Sequence, residues 1–188
     1  LSNNTIPYFI FVGAVHPRKN VLGLLKAFEE FKHRYNLPHQ LMIVGRKSWL
    51  YDEVENFHQQ MNYRNDVIWK EHVQRETLIQ LMQHASALIY PSWLEGFGIP
   101  IIEAMSMGIP VICNTGVGDT ESIVRESNAG YILESLDESA YLTVAQQLVN
   151  DQLAPPYAAI RTASISRFSL EKGVSTYARI YRKLTGQE

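Results

Sequence analysis

Tyr8-Phe9-Ile10-Phe11-Val12-Gly13-Ala14-Val15-His16-Pro17-Arg18-Lys19-Asn20, with a helical pattern starting at Val21, is the stretch that decides how the chain folds. Residues 8–12 are a strand-sized run of branched and aromatic side chains. Gly13 permits a sharp turn. Val21, Leu24, Leu25, Phe28 and Phe31 then fall on one face at helical spacing. Asn20 stands where an N-cap belongs. Strand, glycine turn, basic loop and helix follow one another without interruption.

The same alternation continues down the chain. Further apolar runs lie at 41–44, 67–69, 87–90, 110–113 and 130–133. Most lack strict alternation, as expected of strands covered on both faces. Between them, Val54, Phe57 and Met61 form one helical stripe, and Leu78, Leu81, Met82 and Ala85 another. Pro100 is expected to open a fourth helix that Gly108 ends. A fifth begins near Asp119, and Tyr141, Val144, Ala145 and Leu148 mark a sixth. The last, 170–184, follows a loop flagged by Pro155-Pro156. This alternation predicts an α/β fold, a parallel sheet with helices on both faces and right-handed crossovers. In such folds ligands sit at the carboxyl ends of strands. The loops to examine therefore follow Val12, Val44, Trp69, Tyr90 and Cys113.

Composition narrows the function classes. The 188 residues are 46% hydrophobic and 19% charged, which fits one globular domain over 1–188 and rules out disorder. With 17 basic against 19 acidic residues the net charge is −2, so nucleic acid is not expected as a partner. Any phosphate site must be local. The single cysteine, Cys113, lies in an apolar run and is expected to be a buried bystander in a reducing compartment. No apolar run approaches the ~18–20 residues that span a bilayer. The polar start, Leu1-Ser2-Asn3-Asn4-Thr5, has neither the shape of a signal peptide nor an initiator Met, so the chain is expected to be a piece of something longer.

Two loops carry chemistry. In the first, Arg18 and Lys19 precede a helix N-terminus, whose free N–H groups and dipole favour anions. An isolated Arg-Lys pair is most often solvated; its place between a strand and a helix points to a phosphate site instead. The motif Gly-x-x-x-x-Gly-Lys-Ser/Thr is absent. In the second, Glu95-Gly96-Phe97-Gly98-Ile99-Pro100-Ile101-Ile102-Glu103 turns through two glycines into a helix. The backbone N–H groups of Phe97, Gly98 and Ile99 are expected to point outward. Glu95 in the loop and Glu103 in the first helical turn are placed to accept hydroxyls from one ligand. Alternatively, Glu103 only favours the helix dipole and Glu95 is an exposed acid. Gly96-x-Gly98 is a partial dinucleotide fingerprint, with Ile101 where the third glycine would stand.

Taken together, these residues resemble a known family. Phe11-Val12-Gly13 with Pro17-Arg18-Lys19-Asn20, the Glu95-x7-Glu103 pair around Gly96-Phe97-Gly98, Gly108-Ile109-Pro110-Val111 and the ending Phe168-Ser169-Leu170-Glu171-Lys172 are similar to glycosyltransferase family 4. The resemblance covers essentially the whole chain. It implies the GT-B fold, two Rossmann-like domains about a cleft, of which this chain is similar to the C-terminal, donor-binding half; the N-terminal acceptor domain would be absent from this chain and a partner to it. It implies a retaining hexosyltransferase with no cofactor and no metal, acting on a GDP- or UDP-linked sugar, with a lean to mannose, and on a glycan or lipid-linked acceptor. Such acceptors imply a cytoplasmic enzyme, peripheral at the inner face of the membrane.

By the same resemblance, Lys19 and Arg18 neutralise the donor diphosphate, Gly13 allows its close approach, and Glu95 contacts the transferred sugar. Gly96, Phe97, Gly98 and Ile99 offer backbone amides, Glu103 accepts from the ribose, and Lys70, His72 and Val73 line the base pocket. Two positions depart. Ala14 stands where many members carry Arg, making Arg18 the candidate for the missing charge, and Glu71 stands where Gly is usual. The alternatives are a nucleotide-sugar epimerase half, an NAD-type dehydrogenase domain supported by Gly96-x-Gly98 with Asp119, and a receiver-type signalling module, which would need clustered acids at strand ends.

Overall fold

A computed structural model describes residues 6–48, 51–151 and 157–185. The polar start 1–5 and the Pro155-Pro156 loop lie outside the described residues. In chain order come β1 (Tyr8–Val12), α1 (Val21–Tyr35), β2 (Gln40–Val44), α2 (Asp52–Gln60), β3 (Val67–Lys70), α3 (Arg75–Gln83) and β4 (Ala87–Tyr90). Then follow α4 (Ile99–Ser106), β5 (Val111–Asn114), α5 (Thr120–Glu126), β6 (Gly130–Leu133), α6 (Glu138–Asn150), α7 (Tyr157–Phe168) and α8 (Leu170–Thr185). Among the described residues the strands form one parallel sheet in the order β3-β2-β1-β4-β5-β6. The chain winds outward from β1 through β2 to β3, then returns beside β1 at β4. That reversal opens a crevice at the carboxyl ends of β1 and β4.

Successive strand residues face opposite layers, and both layers are buried. Phe9, Phe11, Leu41, Ile43 and Ile112 pack under α1, α2 and α6. Ile10, Met42, Leu88, Val111 and Cys113 pack under α3, α4, α5 and α7. This two-sided burial is why the strands read as unbroken apolar runs. Burial, then the charge of Glu121, pushes the Cys113 thiol up to about 12, as befits an inert core thiol.

Local expectations needed four adjustments. The helix α7 has no apolar stripe, only Ile160 and Ser164 being buried, so periodicity did not announce it. It is held by tertiary packing: a Cβ on Gly108 would stand 2.7 Å from the Tyr157 carbonyl oxygen. Asn20 occupies the N-cap position of α1 but at φ 50° and without a side-chain cap; its Nδ2 donates to Tyr141 Oη at 3.3 Å instead. The fourth helix begins at Ile99, with Pro100 second. Glu103 therefore lies in the second turn, not the first. No helix among the described residues is long and apolar enough to cross a membrane.

Close backbone approach fixes the strand ends. A Cβ on Gly45 would sit 1.8 Å from the Gly13 carbonyl oxygen. Gly45→Ala is expected to cost about 2 kcal/mol or more, whereas Gly173→Ala, on an exposed helix with nothing within 4 Å, should gain about 0.5–1 kcal/mol. Urea unfolding midpoints check both; equal shifts would contradict this packing. A second expectation concerns His39, buried between Phe9 and Phe31. Burial, then the Lys32 ammonium, lowers it from 6.5 to about 4. The unfolded chain takes up that proton first, so stability should fall as pH drops from about 6.5 to about 4, by on the order of 3 kcal/mol. His39→Leu should flatten that slope in urea titrations across pH; an unchanged slope would place its origin elsewhere.

Candidate functional site

The loops at the carboxyl end of the sheet are laced together by backbone hydrogen bonds. Gly13 N donates to Val44 O, Val15 N to Arg46 O and Gly45 N to Lys70 O, each at 2.9 Å. Trp93 N donates to Arg18 O at 2.7 Å. Ser92 N donates to Asn114 Oδ1 at 2.9 Å. The loops after β1, β2, β3, β4 and β5 thus form one connected rim.

At its centre, Pro17–Lys19 form a single 3-10 turn, opened by His16, whose Nδ1 accepts from Arg18 N at 3.2 Å. The turn swings Lys19 into the crevice, where it is only 6% exposed. Its Nζ donates to Tyr90 Oη at 2.7 Å and stands 4.5 Å from the centre of the Tyr90 ring. The same nitrogen pairs with the Glu95 carboxylate, itself buried. Burial alone would raise the Glu95 carboxyl; hydrogen bonding from Lys19 and its charge outweigh that and hold it below the ordinary range. Burial, then the Glu95 charge, pushes the Tyr90 phenol up. The two residues expected to meet diphosphate and sugar are therefore in contact with each other across the switch point.

Arg18 reaches the same carboxylate from a more exposed position. Its half-exposed side chain donates from Nη1 to Leu94 O at 3.2 Å and lies 3.8 Å from Glu95 Oε2. It staples the β1 loop to the β4 loop. Glycines shape the rest of that loop. Gly98, at φ +72°, precedes α4, and a Cβ there would meet Thr120 Cγ2 at 2.8 Å. A Cβ on Gly96 would meet nothing within 4 Å, so its backbone is open to a ligand. In the first turn of α4, Pro100 carries no N–H and Ile101 N donates to Gly98 O at 2.9 Å. Phe97 and Ile99 are exposed, Phe97 lying edge-on to Phe168 at 6.3 Å between ring centres.

A cleft of about 720 Å³ opens beside this cluster. Val12, Gly13 and Ala14 form one wall; Val44, Gly45 and Arg46 form another; Glu71, His72, Val73, Gln74 and Leu78 close it. Of the base-pocket residues expected, His72 and Val73 line the cleft, while Lys70 ends β3 and gives its carbonyl to Gly45. Glu71 pairs with Lys47 at 3.8 Å. Glu103 pairs with the exposed Arg75 at 3.8 Å, next in sequence to Gln74 and hence beside the cleft rim. Gly13 joins the two regions: a Cβ there would lie 3.7 Å from Lys19 Cε. Sequence reasoning passed over Tyr90, read only as the end of a strand, and did not single out Arg46 in the loop after Val44.

The arrangement sets a buried lysine–carboxylate pair beside a glycine-lined turn at the rim of a cleft. Residues 1–167 match the family Glycosyl transferases group 1. The chain is 31% identical over 149 residues to the O-antigen chain mannosyltransferase B of Escherichia coli, covering 73% of this chain and 39% of that protein. It is 39% identical over 109 residues to a serotype-specific mannosyltransferase of Escherichia coli, covering 56% of this chain and 13% of that protein. Its fold matches sucrose-phosphate synthase from Thermosynechococcus elongatus with a TM-score of 0.80 at 24% identity, over 97% of this chain and 46% of that one. The chain therefore spans less than half the length of these proteins. The match over residues 1–167 places this chain, with its Rossmann-like parallel sheet, in the Glycosyl transferases group 1 family.

Proposed function

We propose that the chain is the donor-binding half of a retaining, metal-independent hexosyltransferase. It binds a nucleotide-diphosphate sugar, GDP- or UDP-linked, and acts with an N-terminal domain that brings a glycan or lipid-linked acceptor. Mannose is the favoured sugar, because two related proteins are named mannosyltransferases. A cytoplasmic enzyme, peripheral at the inner face of the membrane, suits that acceptor. The observation carrying this reading is the Lys19–Glu95 pair beside Gly13 at the β1–β4 switch point.

In this reading the nucleoside lies in the cleft against His72 and Val73, with Glu103 toward the ribose, and the diphosphate crosses Gly13. The transition state gathers positive charge at the anomeric carbon and negative charge on the departing diphosphate. Lys19 and the amides at the start of α4 stabilise that leaving group as fixed, preorganised donors. Glu95 orients the sugar through its hydroxyls. Because Lys19 already holds Glu95, a bound diphosphate shares the lysine with the carboxylate, and phosphate and sugar are sensed by one linked pair. The incoming face of the sugar is left to the acceptor and the diphosphate, as the resemblance implies; no side chain serves as nucleophile.

Calorimetric titration with GDP, UDP, ADP and NAD tests this reading. At least one of GDP and UDP should bind and NAD should not; NAD binding without nucleoside diphosphate binding would refute it. Lys19→Ala should weaken nucleoside diphosphate binding by about tenfold or more, the scale of a lost charge-assisted contact. Since that variant strands the Glu95 carboxylate, the doubly neutral Lys19→Met, Glu95→Gln variant serves as the folded control. Wild-type affinity in both would remove Lys19 from the site.

A further inference from the structure

We propose that Arg46 is a phosphate-binding residue of the donor site, gripping the diphosphate from the β2 side of the cleft. The inference rests on the donor-site reading above and extends it to a residue that the sequence pattern does not mark.

Position is the first support. Arg46 follows β2 and lines the same cleft as Gly13 and Ala14. Its backbone is fixed, since its carbonyl accepts from Val15 N at 2.9 Å and Lys47 bridges to Val15. The bare Gly45 lets this loop press against the Gly13 carbonyl, so the backbone of Arg46 is held beside the turn that a diphosphate would cross. The side chain itself is exposed and projects from an anchored base.

Charge is the second. Arg46 is the only Arg or Lys lining the cleft among the described residues. No carboxylate of the described residues lies within 4.0 Å of it. The nearby acid in the wall, Glu71, is already paired with Lys47. Arg18, Lys19 and Arg75 already carry partners on the rim: Arg18 touches Leu94 and Glu95, Lys19 touches Tyr90 and Glu95, and Arg75 touches Glu103. Arg18, the candidate for the charge absent at Ala14, does not line the cleft. An arginine fork matches two phosphate oxygens at once, which a lysine does not.

The test compares wild type, Arg46→Ala, Arg46→Lys and, as a charge control on α8, Arg182→Ala. Each is titrated calorimetrically with GDP, UDP, guanosine and uridine at two salt concentrations. Arg46→Ala should weaken the diphosphate that binds wild type about tenfold or more, leave its nucleoside unchanged and flatten the salt dependence. Arg46→Lys should recover part of the loss, and Arg182→Ala should match wild type. Equal loss of diphosphate and nucleoside, or no loss of either, overturns the assignment while the donor site stands. A wild-type chain that binds neither GDP nor UDP overturns the donor-site reading and this assignment with it.

Discussion

A buried ammonium and a buried carboxylate hold each other at the place where the sheet reverses direction. Removing two charges from water is costly, and the cost is recovered only with close pairing and further hydrogen bonds. Lys19 and Glu95 meet that condition through each other and the Tyr90 hydroxyl. The pair joins residues 76 positions apart, closing the β1 loop onto the β4 loop. The Arg18–Leu94 and Trp93–Arg18 hydrogen bonds complete the clasp. Replacing the pair by apolar groups of similar volume would be tolerable for folding. Its place at a strand-end crevice is what the proposed donor site builds on.

Three cations divide the work around Gly13. Lys19 lies against the glycine, Arg18 fastens two loops, and Arg46 lines the neighbouring cleft. The proposed diphosphate site is compatible with a net charge of −2, because the cations it needs are gathered locally. The same rim exposes Trp93, Leu94, Phe97 and Ile99. These side chains border the reacting end of the proposed donor.

Much of the fold was legible because burial on both faces writes a plain message into a strand. The runs at 8–12, 87–90 and 130–133 coincide with β1, β4 and β6. Strand order was not legible, since it depends on crossovers that leave no mark in local periodicity. Nor was α7, whose helix rests on contacts with α4 and not on an apolar stripe. The site divided in the same way. Glycines at turns and cations before a helix announce a ligand-binding loop by type and order. Which cation turns inward and which outward is set by one 3-10 turn and by a tyrosine on another strand. Arg46 shows the limit most clearly: only the approach of Gly45 to Gly13 brings it to the cleft.

The proposed donor site holds a diphosphate over Gly13 and a sugar against Glu95, where β4 returns beside β1. A crystal structure of this chain soaked with its best-binding nucleotide sugar measures that directly. The diphosphate should lie over Gly13 within hydrogen-bond distance of Lys19, with the sugar hydroxyls at Glu95 and the base between His72 and Val73. A diphosphate bound away from both the β1 and β4 loops, with Lys19 and Glu95 still locked together, would contradict it.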